Sequence, residues 1–359
     1  MEGFTGIDMA VLVLYLIIVL FVGLYFSKRE MKGKEFFKSD GSVPWWVTSV
    51  SIFATLLSPI SFLSLAGISF ESSWLLWFAQ LGIILSIPFT IKFFLPIYSK
   101  LKIDTAYHYL EIRFGSRALR VAGAVIFIVF QVGRMSIIMY LPCMVLANLT
   151  GIHVNIFILA MGIISIVYSF CGGLKSVLWT DFIRGVVLLV GVVFALVYLL
   201  CSLNNGFADI ITAFVQDNKF LKPNEPVFDP NILKNSCFLL VGGYGFNSLS
   251  SFVSSQDIVQ RFTTTTDRKK LVKMMLGNGL LSIVVATMFY LIGTGLYCFY
   301  TQNPTLLPEF HAQDQIFASW IIYELPIGLT GLLLAAVYVA GQSSLSAGLN
   351  SVSSSWTLD

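Results

Sequence analysis

Residues 340–350 read Ala-Gly-Gln-Ser-Ser-Leu-Ser-Ala-Gly-Leu-Asn, and they follow an almost wholly apolar run that begins at Ile327. The combined segment is long and apolar enough to form a helix that crosses a membrane. Ala340, Ser343 and Ser344 lie at positions i, i+3 and i+4, so one backbone carbonyl and two hydroxyl groups can converge beside the helix. Neutral oxygen atoms of this kind suit a hard cation such as sodium. The alternative is that the small residues let a second helix approach closely.

The composition indicates a polytopic membrane protein. Of the 359 residues, 57% are hydrophobic and only 11% are charged, and the mean hydropathy is +0.83. These values lie outside the range of soluble globular domains. A net charge of +3 is too small to indicate a nucleic-acid partner. The sequence also shows no sign of an obligate protein partner, so we expect the chain to interact with the lipid bilayer and with small solutes.

Nine segments have the length and apolar character that a bilayer core requires. They are residues 8–26, 45–69, 75–99, 118–147, 152–170, 176–201, 236–256, 273–300 and 326–354. Basic residues cluster at 28–38, directly after the first span, whereas Glu2 and Asp8 precede its apolar part. Because basic loops stay in the cytoplasm, we expect a multi-pass protein of the cell membrane with its N-terminus outside.

The second span contains a proline close to its middle. Pro59 lacks an amide proton and displaces the carbonyl four residues earlier, that of Thr55, which is left without its helical partner. Broken helices at membrane depth occur where they line a cavity or are buried in protein, and in secondary transporters they bind ions and substrate. A proline kink with a purely structural role is the alternative.

Arg134 and Asp181 are charged residues inside spans, where charge is costly and usually faces a cavity or a partner. Arg134 is a candidate for holding a carboxylate, because a guanidinium can bind both carboxylate oxygens. A structural ion pair inside the bundle is its alternative role, but no acid is evident near it. Asp181 either binds a cation or pairs with Arg184 at i+3. Gln80 adds a polar group to the third span.

Four stretches, in this order along the chain, resemble the sodium:solute symporter family, which includes carriers of glucose, proline, iodide and bacterial sialic acid. They are 51–58 (SIFATLLS), 172–181 (GGLKSVLWTD), 256–262 (QDIVQRF) and 340–350. The resemblance implies an all-α, LeuT-like fold with two inverted five-helix repeats.

The same resemblance divides the chain. It assigns an extra N-terminal helix and basic loop to 1–44, the first repeat to 45–201, an extracytoplasmic loop to 202–235 and the first three helices of the second repeat to 236–359. On this assignment the second repeat is incomplete. We therefore expect that the 359-residue chain does not transport by itself.

The resemblance also implies where sodium binds. The ligands would be the carbonyl groups of Ala54, Leu57 and Ala340 and the hydroxyl groups of Ser343 and Ser344. Some members have a second sodium site, which here matches Asp181, Ser343 and Ser346. Ala347 stands where those members keep another hydroxyl group, which favours one sodium ion per cycle.

For the substrate, the family pattern most similar to this sequence is that of the bacterial sialic acid transporters. The matching residues are Ser58, Ser61, Gln80 and Arg134, whereas Leu56 replaces an expected hydroxyl residue. The resemblance thus implies sodium-coupled import of a carboxylate-bearing sugar acid such as sialic acid. A sugar or polyol carrier and a monocarboxylate carrier are the rivals within the family. An enzyme is disfavoured because no metal motif or paired intramembrane carboxylates occur, and a channel would need a repeated pore ring.

Overall fold

The computed structural model describes residues 5–27, 36–37, 42–101, 103–231, 235–265, 267–308 and 313–359, and these residues form helices without a strand. The helices are α1 (Gly6–Ser27), α2 (Trp45–Leu56), α3 (Pro59–Glu71), α4 (Ala79–Phe89), α5 (Leu95–Leu101), α6 (His108–Phe114), α7 (Arg117–Thr150), α8 (Val154–Ser202), α9 (Phe207–Gln216), α10 (Cys237–Ser254), α11 (Gln256–Phe262), α12 (Arg268–Gln302), α13 (Gln315–Tyr323) and α14 (Leu329–Leu358). A 3-10 turn at Leu75–Phe78 precedes α4, and a π-helical turn at Thr90–Phe94 joins α4 to α5.

The described residues contain six helical segments that are long and apolar enough to cross a membrane. One of them, Leu75–Tyr98, comprises the 3-10 turn, α4, the π-helical turn and part of α5. A seventh span results if α2 and α3 are counted together as one bent span. The expected segments 152–170 and 176–201 both fall within α8, which is interrupted at Gly173 (φ 55°, ψ −154°). A side chain at Gly173 would meet the Phe36 carbonyl at 2.5 Å, so glycine is required there. The number of nine spans stays a prediction.

The break that Pro59 predicts is present between α2 and α3, whose axes differ by 68°. Leu57 and Ser58 adopt extended backbone angles, and Pro59 begins the next helix, where its missing amide proton costs nothing. The Ser58 hydroxyl caps α3 by accepting from the Ser61 amide at 3.1 Å. The local sequence therefore ends one helix and starts another inside what would otherwise be a single span.

Helix α14 lies at the centre of the bundle, where it packs against α1, α7 and α8 and touches α2, α3 and α11. A side chain at Gly341 would meet Pro142 at 3.0 Å and Pro59 at 3.2 Å. Gly348 likewise lies against Met135 of α7. The small residues of 340–350 thus allow close helix approach as well as placing hydroxyl groups next to the α2–α3 break, so the two interpretations of that stretch are compatible.

The N-terminal end of α14 is capped by an aspartate from α1. The buried Asp8 carboxylate accepts from the amides of Gly328 at 2.8 Å and Gly331 at 2.9 Å. Its other oxygen accepts from the amide and the hydroxyl of Thr5. A carboxylate at this position satisfies amides that lack a helical partner and favours the positive end of the helix dipole.

We predict that Asp8→Ala lowers the free energy of unfolding by about 1 to 2 kcal/mol, because the α14 cap is lost. The measurement is unfolding of the purified protein in detergent. Asp314→Ala is the matched control, because Asp314 precedes α13 without a side-chain capping bond. Equal losses in the two variants would contradict the capping role of Asp8.

Candidate ion and substrate site

The Thr55 carbonyl is the point where the broken helix meets two other helices. It accepts a hydrogen bond from the Ser344 hydroxyl of α14 at 3.2 Å. It also accepts from Nη2 of Arg134 on α7, at the long distance of 3.5 Å. As the sequence predicts, Pro59 removes the helical partner of this carbonyl. The structure adds that side chains from α7 and α14 replace that partner.

The residues expected to bind sodium lie on the two sides of this junction. Ala54 directly precedes Thr55 and Leu57 follows it by two residues, while Ala340, Ser343 and Ser344 lie on α14. All except Leu57 are buried. The Ser343 hydroxyl donates to Oδ1 of Asp181 at 2.7 Å, as that of Ser344 donates to Thr55. A hydroxyl that donates its proton away leaves its lone pairs available to a cation.

Asp181 is fully buried and accepts hydrogen bonds from four directions. Oδ2 accepts from the Ser51 hydroxyl at 2.9 Å and from Nη2 of Arg261 at 3.0 Å. Oδ1 accepts from Ser343 and from Nη1 of Arg184 at 3.2 Å. The i, i+3 pair with Arg184 was one of the two roles considered for Asp181, and the pairing with Arg261 was not anticipated.

The expected second sodium site contains a guanidinium group. Asp181, Ser343 and Ser346 do come together, and Ser346 donates to the Ser343 carbonyl at 3.0 Å. Nη1 of Arg184 lies between them, at 3.2 Å from the Asp181 carboxylate and 3.3 Å from the Ser346 hydroxyl. An internal cation therefore lies at the carboxylate that a second sodium ion would need.

Arg261 is the functional residue that the sequence reasoning missed most clearly. Its side chain is 1% exposed, and it bonds Ser51 at 3.0 Å, the Thr55 hydroxyl at 2.6 Å and the Asp257 carbonyl. It thus holds α11 against α2 and α8. The one available signal was its place in the QDIVQRF stretch, which carried the resemblance but received no role.

Arg134 has an acidic neighbour, contrary to the expectation that none is present. Its Nη1 donates to Oδ2 of Asp257 at 2.9 Å. The two residues are 123 positions apart, on α7 and α11, which is why the sequence did not suggest the pair. The Arg134 side chain is 25% exposed, whereas that of Asp257 is 1% exposed.

The four residues expected to bind substrate are divided between two cavities. The first, which we call the α10 cavity, has a volume of about 460 Å³ and contains Ser61 and Gln80. The second, the α7 cavity, has a volume of about 630 Å³ and contains Ser58 and Arg134. Leu56 and Ile60 line both cavities. The hydroxyl groups of Ser58 and Ser61 are nevertheless only 3.1 Å apart, so the cavities adjoin at the start of α3.

Helix α10 supplies polar groups that the sequence analysis did not assign. The α10 cavity is lined from this helix by Tyr244, Asn247, Ser248 and Ser251. Three of them lie at i, i+3 and i+7 along the helix, so they share one face. The signal was the glycine-rich stretch that ends in Asn247, but glycines are common in membrane helices for packing alone.

The model of the sodium:solute symporter family matches residues 36–359. The chain belongs to the sodium:solute symporter family. It is 35% identical over its whole length to the sodium/sialic acid symporter SiaT of Proteus mirabilis (strain HI4320), of which it covers 72%. It is 33% identical to the sodium/sialic acid symporter NanT of Aliivibrio fischeri (strain ATCC 700601 / ES114), of which it covers 70%.

A solved structure shows which fold this chain resembles. It is the substrate-bound, outward-open state of a Na+-coupled sialic acid symporter, and it is 35% identical to this chain. The TM-score is 0.92, over 99% of this chain and 74% of the other. The likeness confirms the all-α LeuT-like fold class. The chain is a multi-pass, sodium-coupled membrane transporter rather than an enzyme.

The buried charges around Asp181 generate a prediction. We predict that Asp181→Asn lowers the free energy of unfolding by about 3 to 5 kcal/mol, because two buried guanidinium groups lose their carboxylate. The double variant Asp181→Asn/Arg261→Met restores the original net charge. Its free energy of unfolding will therefore fall by less than the sum of the decreases in the two single variants. Ser346→Ala serves as the control, since it removes one hydroxyl and no charge. Additive losses in detergent unfolding would show that the ion pair contributes little.

Proposed function

We propose that this chain is part of the machinery that imports sialic acid together with sodium by alternating access. The observation that carries this proposal is the partly exposed side chain of Arg134 in the α7 cavity, which contacts the same Thr55 carbonyl as Ser344 of the proposed sodium site. The similarity to two sodium/sialic acid symporters supports it. Both cavity volumes fall within the range of roughly 300–1,000 Å³ that is typical of small-molecule sites.

The proposed sodium site lies between the end of α2 and the middle of α14. Its ligands are the carbonyl groups of Ala54, Leu57 and Ala340 with the hydroxyl groups of Ser343 and Ser344. A site of five neutral oxygens keeps the positive charge of the ion, so the ion adds to the attraction of a nearby anion. In this way a bound sodium ion favours an acidic solute, which is the physical basis of the coupling.

The proposed substrate site begins at the Ser58 and Ser61 hydroxyl groups. A carboxylate there meets the N-terminal end of α3, which carries a partial positive charge. Arg134 approaches from the α7 cavity, while Gln80 and the polar face of α10 meet the rest of the sugar. Leu56, which replaces an expected hydroxyl, offers only apolar contact at this point.

One observation favours a second candidate function, the transport of a neutral sugar or polyol. Arg134 already has a carboxylate partner in Asp257, so a neutral solute would not leave the guanidinium unpaired. The α10 cavity, with its serine, asparagine and glutamine side chains, also suits hydroxyl groups. A monocarboxylate is the remaining rival, and it would fill only the part of the site near Ser58.

The topology is also a proposal. The distribution of basic residues places the N-terminus and the loops at 202–235 and 301–325 outside the cell. The division into a first repeat at 45–201 and part of a second at 236–359 agrees with the positions of the two broken elements. These are the α2–α3 break and the α10–α11 break at Ser255, which begin the two repeats.

We predict that Ser343→Ala and Ser344→Ala each raise the sodium concentration for half-maximal binding of sialic acid on the order of tenfold, because each removes one ligand oxygen. The measurement is sialic acid binding by the purified protein as the sodium concentration is varied. Ser351→Ala is the matched control, since among the described residues the hydroxyl of this buried α14 serine bonds the Gly348 carbonyl of its own helix. Unchanged sodium dependence in both variants would exclude the site.

The same titration tests the stoichiometry. Because Ala347 lacks a hydroxyl and Asp181 is bonded to two guanidinium groups, we expect one sodium ion and a Hill coefficient of about one. A coefficient clearly above one that falls to one in Asp181→Asn would demonstrate a second sodium ion instead.

We predict that sialic acid raises the melting temperature of the purified protein in sodium and not in potassium, whereas hexoses do not. The reason is the charge-assisted bond between a carboxylate and Arg134. Arg134→Ala is expected to weaken binding of the acid by about tenfold or more. Stabilisation by a neutral hexose but by no carboxylate would favour the second candidate function.

A further inference from the structure

Asp257 is held through both its side chain and its backbone. The Ser255 hydroxyl donates to its Oδ1 at 2.5 Å, and Arg261 donates to its backbone carbonyl. Asp257 lies in the first turn of α11, and its side chain is 1% exposed. Arg134 extends from the middle of α7, and its side chain is 25% exposed. The aspartate is therefore the fixed member of the pair.

The guanidinium of Arg134 uses only part of its hydrogen-bonding capacity within the described residues. Nη1 donates to Asp257 at 2.9 Å, and Nη2 makes the 3.5 Å contact with the Thr55 carbonyl. An arginine has five N–H donors in a planar fork. With Nη1 held by Asp257 and one N–H of Nη2 directed at Thr55, the remaining N–H groups are available to the α7 cavity, which Ser58 also lines.

We propose that Asp257 is a positioning residue that orients Arg134 toward the carboxylate of the transported acid. This inference rests on the proposed function. The bond from Nη1 to Asp257 fixes the plane of the guanidinium, so that a substrate carboxylate meets donors already placed for it. A side chain that is oriented before binding loses less conformational entropy when the ligand arrives.

An alternative is that Asp257 competes with the substrate for Arg134. Competition would require the guanidinium to leave a carboxylate that is almost fully buried. A buried carboxylate without its cation is strongly unfavourable, and the Ser255 hydroxyl does not neutralise its charge. Arg134 can instead bind both anions at once, through different nitrogens of the fork. The positioning role predicts weaker binding of the acid when the Asp257 charge is removed, whereas competition predicts tighter binding.

The test compares affinities of the purified protein for sialic acid and for its methyl ester, both in sodium. We expect Asp257→Asn to weaken binding of the acid by about tenfold or more. Binding of the ester and the sodium dependence of ester binding will not change, because neither uses the carboxylate. Asp257→Glu, which keeps the charge, will recover most of the affinity for the acid.

A double variant tests whether Asp257 acts through the arginine. In an Arg134→Ala background, Asp257→Asn will cause no further loss of affinity for the acid. Tighter binding of the acid by Asp257→Asn would overturn the proposal in favour of competition. An equal loss of affinity for the acid and for the ester would overturn it in favour of a purely structural role. Full retention of affinity for the acid would also overturn it.

Ser255→Ala tests the same proposal in case Asp257→Asn does not fold. It removes the hydrogen bond to the carboxylate without removing charge, so a smaller loss of affinity, again confined to the acid, supports the proposal. Equal affinity of Ser255→Ala and the unmodified protein for the acid would contradict it. If the unmodified protein binds no acid at all, the proposed function fails and the role of Asp257 fails with it. If the unmodified protein binds the acid and the Asp257 variants match it, only the role of Asp257 fails.

Discussion

The structure depends on how a backbone carbonyl is satisfied where a membrane helix is broken. Pro59 ends the regular bonding of the α2–α3 span, and an unpaired carbonyl inside a bilayer is unfavourable. The Thr55 oxygen therefore bonds Ser344 and Arg134, which come from two different helices. Because both partners lie at proposed binding sites, one structural requirement brings the ion site and the substrate site to the same place. The helix break, the ion ligands and the arginine form one connected unit.

Buried charge surrounds this unit. Arg134 bonds the Asp257 carboxylate, while Arg184 and Arg261 both bond the carboxylate of Asp181. A partly exposed guanidinium such as that of Arg134 can bind an anion in addition to its carboxylate partner. The two guanidinium groups at Asp181 disfavour a second sodium ion next to that carboxylate.

The sequence could predict the parts of the site that depend on short-range spacing. The effect of Pro59 follows from helix geometry alone and agrees with the break in the structure. The i, i+3, i+4 pattern of Ala340, Ser343 and Ser344 also follows from helix geometry, and their binding of sodium stays a prediction. The pairing of Arg134 with Asp257 could not be predicted in this way, because it depends on how α7 packs against α11. For the same reason, the division of the candidate substrate residues between two cavities became visible only when the helices were assembled.

The Asp8 cap on α14 has a mechanical consequence. The carboxylate accepts from the amide of Gly328, directly before α14, at 2.8 Å and from that of Gly331, in the first turn of α14, at 2.9 Å. A slide of α14 along α1 by a single residue, about 1.5 Å, would stretch these bonds beyond the range of roughly 3.2 Å in which hydrogen bonds are effective. The cap therefore opposes sliding of α14 along α1. A conformational change that keeps the cap would alter the contacts of α14 with α2 and α3 rather than those with α1.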